Sequence, residues 1–187
     1  MKLYLDYEIR EANIGDAEDI TEVLVQSWKE TYVNIISNSF LDNIEYTEKK
    51  VQKYKEAIAS REENYTVATF KGKVVGFCNA KKFQIHKNQI LNVKQLTQRN
   101  ERGEIYLLYL LSEHQKKGLG TMLFYKAAKW LKEKQLVPFL VWVFKDNIKA
   151  RSFYTSLGGK VVDEILLKID EVIYSEVAYK FDKEMFI

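Results

Sequence analysis

The residues with the clearest chemical potential form one short segment, Gln115-Lys116-Lys117-Gly118-Leu119-Gly120-Thr121. The segment stands between a predicted strand at 104–111 and a predicted helix at 118–135. A turn from a strand into a helix directs unpaired main-chain N–H groups outward at the positive end of the helix dipole. Gly118 and Gly120 have no Cβ atom, so an anion can approach the main chain closely, and the two lysines add positive charge. The segment therefore predicts a site for a phosphate or diphosphate group.

Two other phosphate-binding motifs do not fit this segment. A P-loop requires a lysine and then a serine or threonine after its second glycine, whereas Gly120 is followed directly by Thr121. A dinucleotide-binding fingerprint requires a third glycine at position 123, which is Leu123. A glycine pair before a helix can also be a plain tight connection, and the segment by itself leaves that alternative open.

The apolar periodicity predicts the elements that must position this segment. It predicts helices at 16–31, 47–61, 118–135 and 147–157, and strands at 4–12, 65–70, 74–80, 104–111, 139–143, 160–167 and 175–181. The strand at 104–111 is apolar on both faces, so we expect it in the middle of a sheet. The segment 83–102 is consistent with a long loop, a strand extension or a short helix. The order of elements predicts one mixed sheet with helices on both of its faces.

The composition is that of an ordinary soluble globular domain. The chain has 187 residues, of which 47% are hydrophobic and 29% charged, and this predicts a single domain over 1–187. Cys78 has no second cysteine for an internal disulfide, and two histidines with one cysteine make a poor set of metal ligands, so no metal is expected. The acidic start and the lack of an apolar run near ~20 residues argue against a signal peptide and a membrane helix, which predicts a cytoplasmic protein.

Positive charge is concentrated in one stretch of the chain. The net charge is only +3, yet 81–102 contains six basic residues against Glu101 alone. We expect a basic insertion at about 83–102, which is either a solvated loop or a docking surface for an acidic partner. The mixed charge elsewhere argues against nucleic acid as a partner.

Four parts of the sequence together resemble the GNAT superfamily of N-acetyltransferases. The segment 115–120 fits the family's Gln/Arg-x-x-Gly-x-Gly/Ala signature, whose loop binds the pyrophosphate of coenzyme A, and 104–110 looks like the family's fourth strand. A third part resembles the family's Asn…Ala…Phe-Tyr…Leu-Gly segment through Asn147, Ala150, Phe153, Tyr154, Leu157 and Gly158. The fourth part is similar to the family's first strand and first helix through Ile9-Arg10-Glu11-Ala12, Trp28 and Tyr32. The resemblance spans 9–181.

The resemblance implies a GNAT-like α+β fold, with a mixed, mostly antiparallel sheet that splays between its fourth and fifth strands. It also implies an activity, the transfer of an acetyl group from acetyl-CoA, as co-substrate, to a primary amine by direct attack in a ternary complex. Members of the family often form homodimers, so a homodimer is expected. The main alternative is a non-catalytic, regulatory domain that binds acyl-CoA without turnover.

The resemblance further implies which residues contact the cofactor. Main-chain groups of Leu110 and Leu111 would pair with the pantetheine arm, and Asn147 would hydrogen-bond its pantetheine or acetyl end. The pyrophosphate would be held by main-chain N–H groups of Gln115, Lys116, Lys117, Gly118, Leu119, Gly120 and Thr121. Gly159 replaces an aromatic residue that is common in the family at this position, so looser packing beside Tyr154 is expected.

Direct attack by an amine requires one group that accepts a proton and one that donates a proton. The amine must be neutral to attack, and Glu104, at the start of the central strand, is the candidate base, directly or through an ordered water. The resemblance places Tyr154 near the cofactor sulfur, and a phenol with a pKa of ~10 suits protonation of the departing thiolate. The alternatives are a solvent-facing charge at Glu104 and a packed aromatic at Tyr154. Main-chain N–H groups near Leu110 would stabilise the oxyanion.

The sequence does not identify the acceptor amine. A polyamine, an aminoglycoside, an amino acid and a protein amine all remain open. A group of aromatic residues either lines an acceptor cleft or belongs to the core: Trp28, Tyr32, Phe40, Tyr106 and Tyr109.

Overall fold

The fold is a mixed arrangement of strands and helices along one chain. The computed structural model describes residues 6–85, 89–90 and 100–182. Its strands are β1 Tyr7–Glu11, β2 Asn64–Phe70, β3 Lys73–Lys82, β4 Gln89–Ile90, β5 Gly103–Leu110, β6 Phe139–Phe144, β7 Lys160–Ile169 and β8 Val172–Phe181. Its helices are α1 Ala17–Thr31, α2 Asn38–Asp42, α3 Glu48–Ser60, α4 Leu119–Glu133 and α5 Ile148–Ser156.

The described strands form one sheet that opens near its centre. The strand order is β1-β2-β3-β5-β6-β8-β7-β4, and all neighbours are antiparallel except β5 and β6. The parallel pair β5 and β6 is in register only at Gly103 with Phe139 and at Glu104 with Leu140. Beyond Glu104 the two strands separate, and a gap opens toward their carboxyl ends. This confirms the predicted α+β fold and the splay, since β5 and β6 are the predicted fourth and fifth strands.

Helices cover both faces of the sheet, as predicted. On one face α1 and α3 pack on β2 and β3 through Ile20, Val51 and Phe77, which are almost fully buried. On the other face α4 and α5 contribute Phe124 and Tyr154 to the largest apolar cluster of the described residues. The central strand β5 therefore has an apolar layer on each side, which accounts for its unbroken apolar sequence.

Some bounds differ from those predicted. The five-residue helix α2 is absent from the prediction because one and a half turns are too short to show an apolar period. Of the predicted basic insertion at 83–102, residues 86–88 and 91–99 lie outside the described residues. Residues Gln89–Ile90 pair with Leu167 and Leu166 of β7. Among the described residues, no helix is both long enough and apolar enough to span a membrane.

The helix starts differ in a way that matters for function. Thr47 caps α3 by accepting a hydrogen bond from the N–H of Lys50 at 3.3 Å, and Asn147 caps α5 through the N–H of Ala150 at 3.1 Å. At α4 the N-cap residue is Gly118, where no side chain accepts a hydrogen bond from the helix. The first N–H groups of α4 are thus left for another acceptor.

Candidate functional site

The first part of the site is the turn 115–121, here called the cradle. Lys116 and Gly118 both have a left-handed backbone, with φ of 59° and 79°, and together they turn the chain from β5 into α4. The N–H groups of Leu119, Gly120 and Thr121 belong to the first turn of α4, where no earlier carbonyl of the helix can accept from them. The predicted anion-binding residues are therefore brought together around the positive end of α4.

The end of β5 is tied to the cradle. The Gln115 side chain donates its Nε2–H to the carbonyl of Leu110 at 2.9 Å. The N–H of Leu111 donates to the carbonyl of Val75 at 3.0 Å, and the Leu111 carbonyl accepts from the N–H of His114 at 2.9 Å. The pantetheine contact of Leu110 and Leu111 stays a prediction, and the Leu111 N–H is already used by β3. Main-chain groups alternate along a strand, so the N–H of Leu110 points away from β3, toward the gap.

Lys117 is held by residues that sequence reasoning missed. Its Nζ donates to the Glu113 carbonyl at 2.7 Å and to the Tyr7 hydroxyl at 3.1 Å. Tyr7 in turn lies 2.8 Å from His114 Nδ1. Lys117, Tyr7 and His114 thus form one connected chain of polar contacts beside the cradle. More than a hundred residues separate Tyr7 from Lys117, so no local pattern could have linked them.

The second part of the site is the place where β5 and β6 begin to separate, here called the closed end of the gap. Glu104 lies there and is 1% exposed, so the alternative of a solvent-facing charge is wrong. Its Oε1 lies 3.7 Å from Nζ of Lys81, and the same Nζ lies 3.7 Å from the centroid of the Tyr106 ring. Six residues of strand, about 20 Å, separate Glu104 from Leu110. The cradle and Glu104 therefore lie at opposite ends of the gap.

The negative charges of three glutamates act on Tyr106 at the closed end. Burial raises the pKa of Tyr106, and the negative charges of Glu104, Glu176 and Glu63 raise it further, in that order. These carboxylates belong to β5, β8 and the chain just before β2, so they are close in space although distant in sequence. Their combined charge makes this region favourable for a cation.

Tyr154 lies on α5, and Asn147 is the N-cap residue of the same helix. Asn147 is buried and uses its Oδ1 to cap the helix, so its Nδ2 is the group that could meet a cofactor. Tyr154 is 6% exposed, and burial raises its pKa well above the ordinary value, with smaller contributions from Cys78 and Tyr32. Cys78 and Tyr32 belong to clusters on opposite faces of the sheet.

The packing beside Tyr154 is tight, contrary to the expectation drawn from Gly159. A Cβ atom at Gly159 would lie 2.6 Å from Cζ of Phe181 and 3.0 Å from the carbonyl oxygen of Tyr154. The Phe181 ring, stacked on Phe139 at 5.1 Å, takes the space that an aromatic side chain at 159 would need. Glycine is required here because the final strand comes so close.

The aromatic residues proposed for an acceptor cleft divide into two groups. Trp28, Tyr32 and Phe40 pack around Phe144 in one cluster, and the Tyr32 hydroxyl lies 3.3 Å from that of Tyr109. Burial raises the pKa of Tyr32 to about 12, so it remains a neutral phenol. Most of the group is thus core beside the gap, whereas Tyr106 is 44% exposed and stands with Lys81.

Two other features bear on the chemistry that the site can perform. Cys78 is fully buried, and burial raises the pKa of its thiol, so it remains protonated. In the part of the chain that the structure describes, no group of three or more histidine, cysteine, aspartate or glutamate residues is arranged to hold a metal ion.

Comparison with known proteins agrees with this geometry. Residues 23–158 match the Acetyltransferase (GNAT) family. The uncharacterized N-acetyltransferase YuaI of Bacillus subtilis (strain 168) is 31% identical over 169 residues, 90% of this chain and 89% of that protein. The spermidine N(1)-acetyltransferase of Thermoplasma acidophilum is 28% identical over 163 residues, 85% of this chain and 91% of that protein. The crystal structure of the PaiA N-acetyltransferase of Thermoplasma acidophilum with coenzyme A has a TM-score of 0.69 and 26% identity, covering 95% of this chain and 100% of that one.

Proposed function

Because this chain belongs to the GNAT acetyltransferase family, we propose that it transfers the acetyl group of acetyl-CoA directly to a primary amine of a small, positively charged acceptor. Acetyl-CoA-dependent N-acetyl transfer is the activity of the family. The observation that carries the proposal is the gap between β5 and β6, with the uncapped start of α4 at one end and the buried Glu104 at the other.

At the open end of the gap, the cradle binds the pyrophosphate. Its N–H groups need an acceptor, and an anion at the positive end of a helix provides one. Gly120 leaves room at the main chain, since a Cβ atom there would meet only ring carbons of Phe153, at 3.6 and 3.8 Å. Lys116 and Lys117 contribute positive charge. The Leu110 N–H and the Asn147 Nδ2 face the arm that runs from the cradle into the gap.

At the closed end of the gap, Glu104 removes a proton from the ammonium group of the acceptor. The neutral amine then attacks the carbonyl carbon, forming a C–N bond, and the C–S bond breaks. Tyr154 donates its hydroxyl proton to the departing thiolate, and the second proton lost from the amine nitrogen returns through water to the tyrosinate. Burial keeps the hydroxyl protonated near neutral pH, so the donor is available, and the same burial makes the thiolate more basic, which offsets the weaker acidity of the buried phenol.

The charge at the closed end supports a cationic acceptor. Glu63, Glu104 and Glu176 all act on the Tyr106 hydroxyl, so a second ammonium group of a polyamine would be attracted to this region. One relative is a spermidine N(1)-acetyltransferase, which supports the same class of substrate. A domain that only binds acyl-CoA needs the cradle but has no use for a buried carboxylate at the far end of the gap.

We also propose that the chain works as a single domain, as a cytoplasmic homodimer. The dimer is an expectation taken from the family, and a single unpaired cysteine suits a reducing compartment. Size-exclusion chromatography with light scattering would give twice the mass of 22.0 kDa if the dimer forms.

The test is a thiol-release assay with acetyl-CoA and a set of amines. The set contains spermidine, a shorter diamine, a monoamine of matched length, an aminoglycoside, an amino acid and a peptide. We expect amine-dependent thiol release, with kcat/KM at least about 10-fold higher for the polyamine than for the monoamine, which corresponds to ~1.4 kcal/mol of charge attraction. Binding of coenzyme A without thiol release from any amine would instead support the regulatory, binding-only domain.

A further inference from the structure

We propose that Lys81 is a positioning residue that holds Glu104 at the closed end of the gap as an oriented carboxylate. The inference rests on the proposed function, in which Glu104 accepts the proton of the acceptor amine. Nothing in the sequence motifs points to Lys81, since it lies on β3, outside every segment that carries the family resemblance.

The sheet brings the two side chains together. Lys81 and Glu104 are direct partners in the antiparallel pairing of β3 with β5, so both side chains point to the same face. Lys81 Nζ lies 3.7 Å from Glu104 Oε1, and the two side chains are 11% and 1% exposed. At this degree of burial water screens the pair poorly, so the ammonium acts on the carboxylate much more strongly than an exposed lysine would.

A break in the pairing adds Tyr106 to this arrangement. The partner of Asn79 is Leu107, whereas the partner of Ala80 is Ile105, so Tyr106 is an extra residue on β5. An extra residue of this kind redirects side chains locally. The centroid of the Tyr106 ring lies 3.7 Å from Lys81 Nζ, so this ring is a second contact that restricts the lysine.

Other charged and titratable groups face the same place. Glu63 precedes β2 and Glu176 lies on β8, and both interact electrostatically with Tyr106. Tyr54 of α3 and Tyr65 of β2 also interact electrostatically with Tyr106. The carboxylates repel one another, and Lys81 is a buried cation among them. Without it, Glu104 would stay buried and lose the ammonium group that lies 3.7 Å from its Oε1.

The experiment compares Lys81→Met, Lys81→Arg and Glu104→Gln with the double variant that combines Lys81→Met and Glu104→Gln. For Lys81→Met we expect kcat to fall by roughly 10- to 100-fold, with little change in KM for acetyl-CoA, and the acidic limb of the pH–rate profile to move up by about one pH unit. Lys81→Arg retains the charge and should recover most of the rate. In the Glu104→Gln background, Lys81→Met should cause no further loss, because the two residues act as one unit.

Lys82→Met is the matched control, since Lys82 is the exposed neighbour on the same strand and its removal should leave the profile unchanged. Circular dichroism and thermal unfolding show whether each variant folds. If Lys81→Met does not fold, Lys81→Gln and the double variant, which removes both charges, make the same comparison.

The outcomes separate this inference from the proposed function. An unmoved acidic limb in folded Lys81→Met, or an equal rate loss in the Glu104→Gln background, would overturn the role of Lys81 while leaving Glu104 as the base. Full activity of Glu104→Gln would overturn the base itself, and the role of Lys81 with it.

Discussion

The cradle is built from residues that are neighbours in the chain, whereas the closed end of the gap is built from residues that strand pairing brings together. The cradle consists of consecutive residues, 115–121, and its proposed binding uses main-chain N–H groups that every residue type except proline has. The closed end is assembled from side chains of β3 and β5, Lys81, Glu104 and Tyr106, which are brought together by strand pairing. A local motif is enough to build an anion site, whereas an oriented, buried carboxylate requires the whole sheet.

The two regions have different proposed roles: the cradle in cofactor binding and the closed end in the chemical step. The cradle is exposed at Gln115, Lys116 and Gly118, and in the proposed site its glycines serve mainly by having no side chain. The closed end is buried, so a change in charge there alters both reactivity and packing. Substitutions in the cradle should therefore affect cofactor affinity, and substitutions at the closed end should affect turnover.

The largest effect is expected for Glu104→Gln. Loss of the proton acceptor should lower kcat/KM by about 10²- to 10⁴-fold and flatten the acidic limb of the pH–rate profile, while affinity for coenzyme A stays unchanged. Steady-state kinetics from pH 6 to 9 and calorimetric titration with coenzyme A measure the two parts. Glu62→Gln, at an exposed position, is the control. An unaltered acidic limb would mean that a water or another group is the base.

Gly120→Glu should lower the affinity for coenzyme A, which is the quantity that Glu104→Gln leaves unchanged. A carboxylate in the cradle would repel the pyrophosphate, and we expect affinity for coenzyme A to fall about 100-fold, or ~2.7 kcal/mol. Gly120→Ala is the matched control, because a Cβ atom there has only ordinary contacts with Phe153, at 3.6 and 3.8 Å. Undiminished affinity in the glutamate variant would refute the cradle as the pyrophosphate site.

Tyr154→Phe tests the proton donor between the two regions. We expect kcat to fall ~10- to 100-fold with little change in cofactor binding, since only the hydroxyl is removed. Burial raises the pKa of Tyr154, so its hydroxyl stays protonated and no alkaline limb from this residue should appear below pH ~10. Tyr179→Phe, which alters a buried neighbour, is the control. Unchanged turnover in Tyr154→Phe would leave the residue as a packed aromatic only.

The smallest effect on activity is expected outside both regions, at Asp16. Burial by itself would raise the pKa of Asp16, but the two Arg10 hydrogen bonds, both 2.7 Å, and the N–H of Asn13 hold it below the ordinary value. The resulting stability is fully present above pH ~4 and is lost as the pH falls through the lowered pKa. Asp16→Asn should lower the free energy of unfolding by about 2 kcal/mol at pH 7, with unchanged kinetics.

Urea unfolding at pH 7, 5 and 3 measures the difference in free energy of unfolding between Asp16→Asn and the native chain. This difference should be smaller at pH 3 than at pH 7. Glu18→Gln removes an exposed ion pair with Lys55 at 3.6 Å and should cost less than about 1 kcal/mol. Equal stability of Asp16→Asn and the native chain at pH 7 would contradict the role given to this pair.

Most of the fold could be predicted from the sequence because its main elements are long and strongly patterned. The helices at 47–61 and 118–135 agree with α3 and α4 to within two residues, since each has a regular apolar face. The helix α2 and the strand β4 could not be predicted, because elements of five and two residues are too short to show a periodic pattern of apolar residues. The tight packing at Gly159 also depends on Phe181, more than twenty residues later.

The sequence by itself determined the cradle, because its glycines, its lysines and the helix that follows are neighbours in the chain and their geometry is local. It also gave Glu104 as a candidate base, from the chemistry and its place at the start of the central strand, and Tyr154 as a candidate acid, through the family resemblance. Only the tertiary structure decided that Glu104 is buried against Lys81 and that Leu111 is already paired with β3. It also decided that Lys117 donates to Tyr7, which in turn contacts His114. These contacts arise from strand register and sheet order, and both are set by packing between residues that are far apart in sequence.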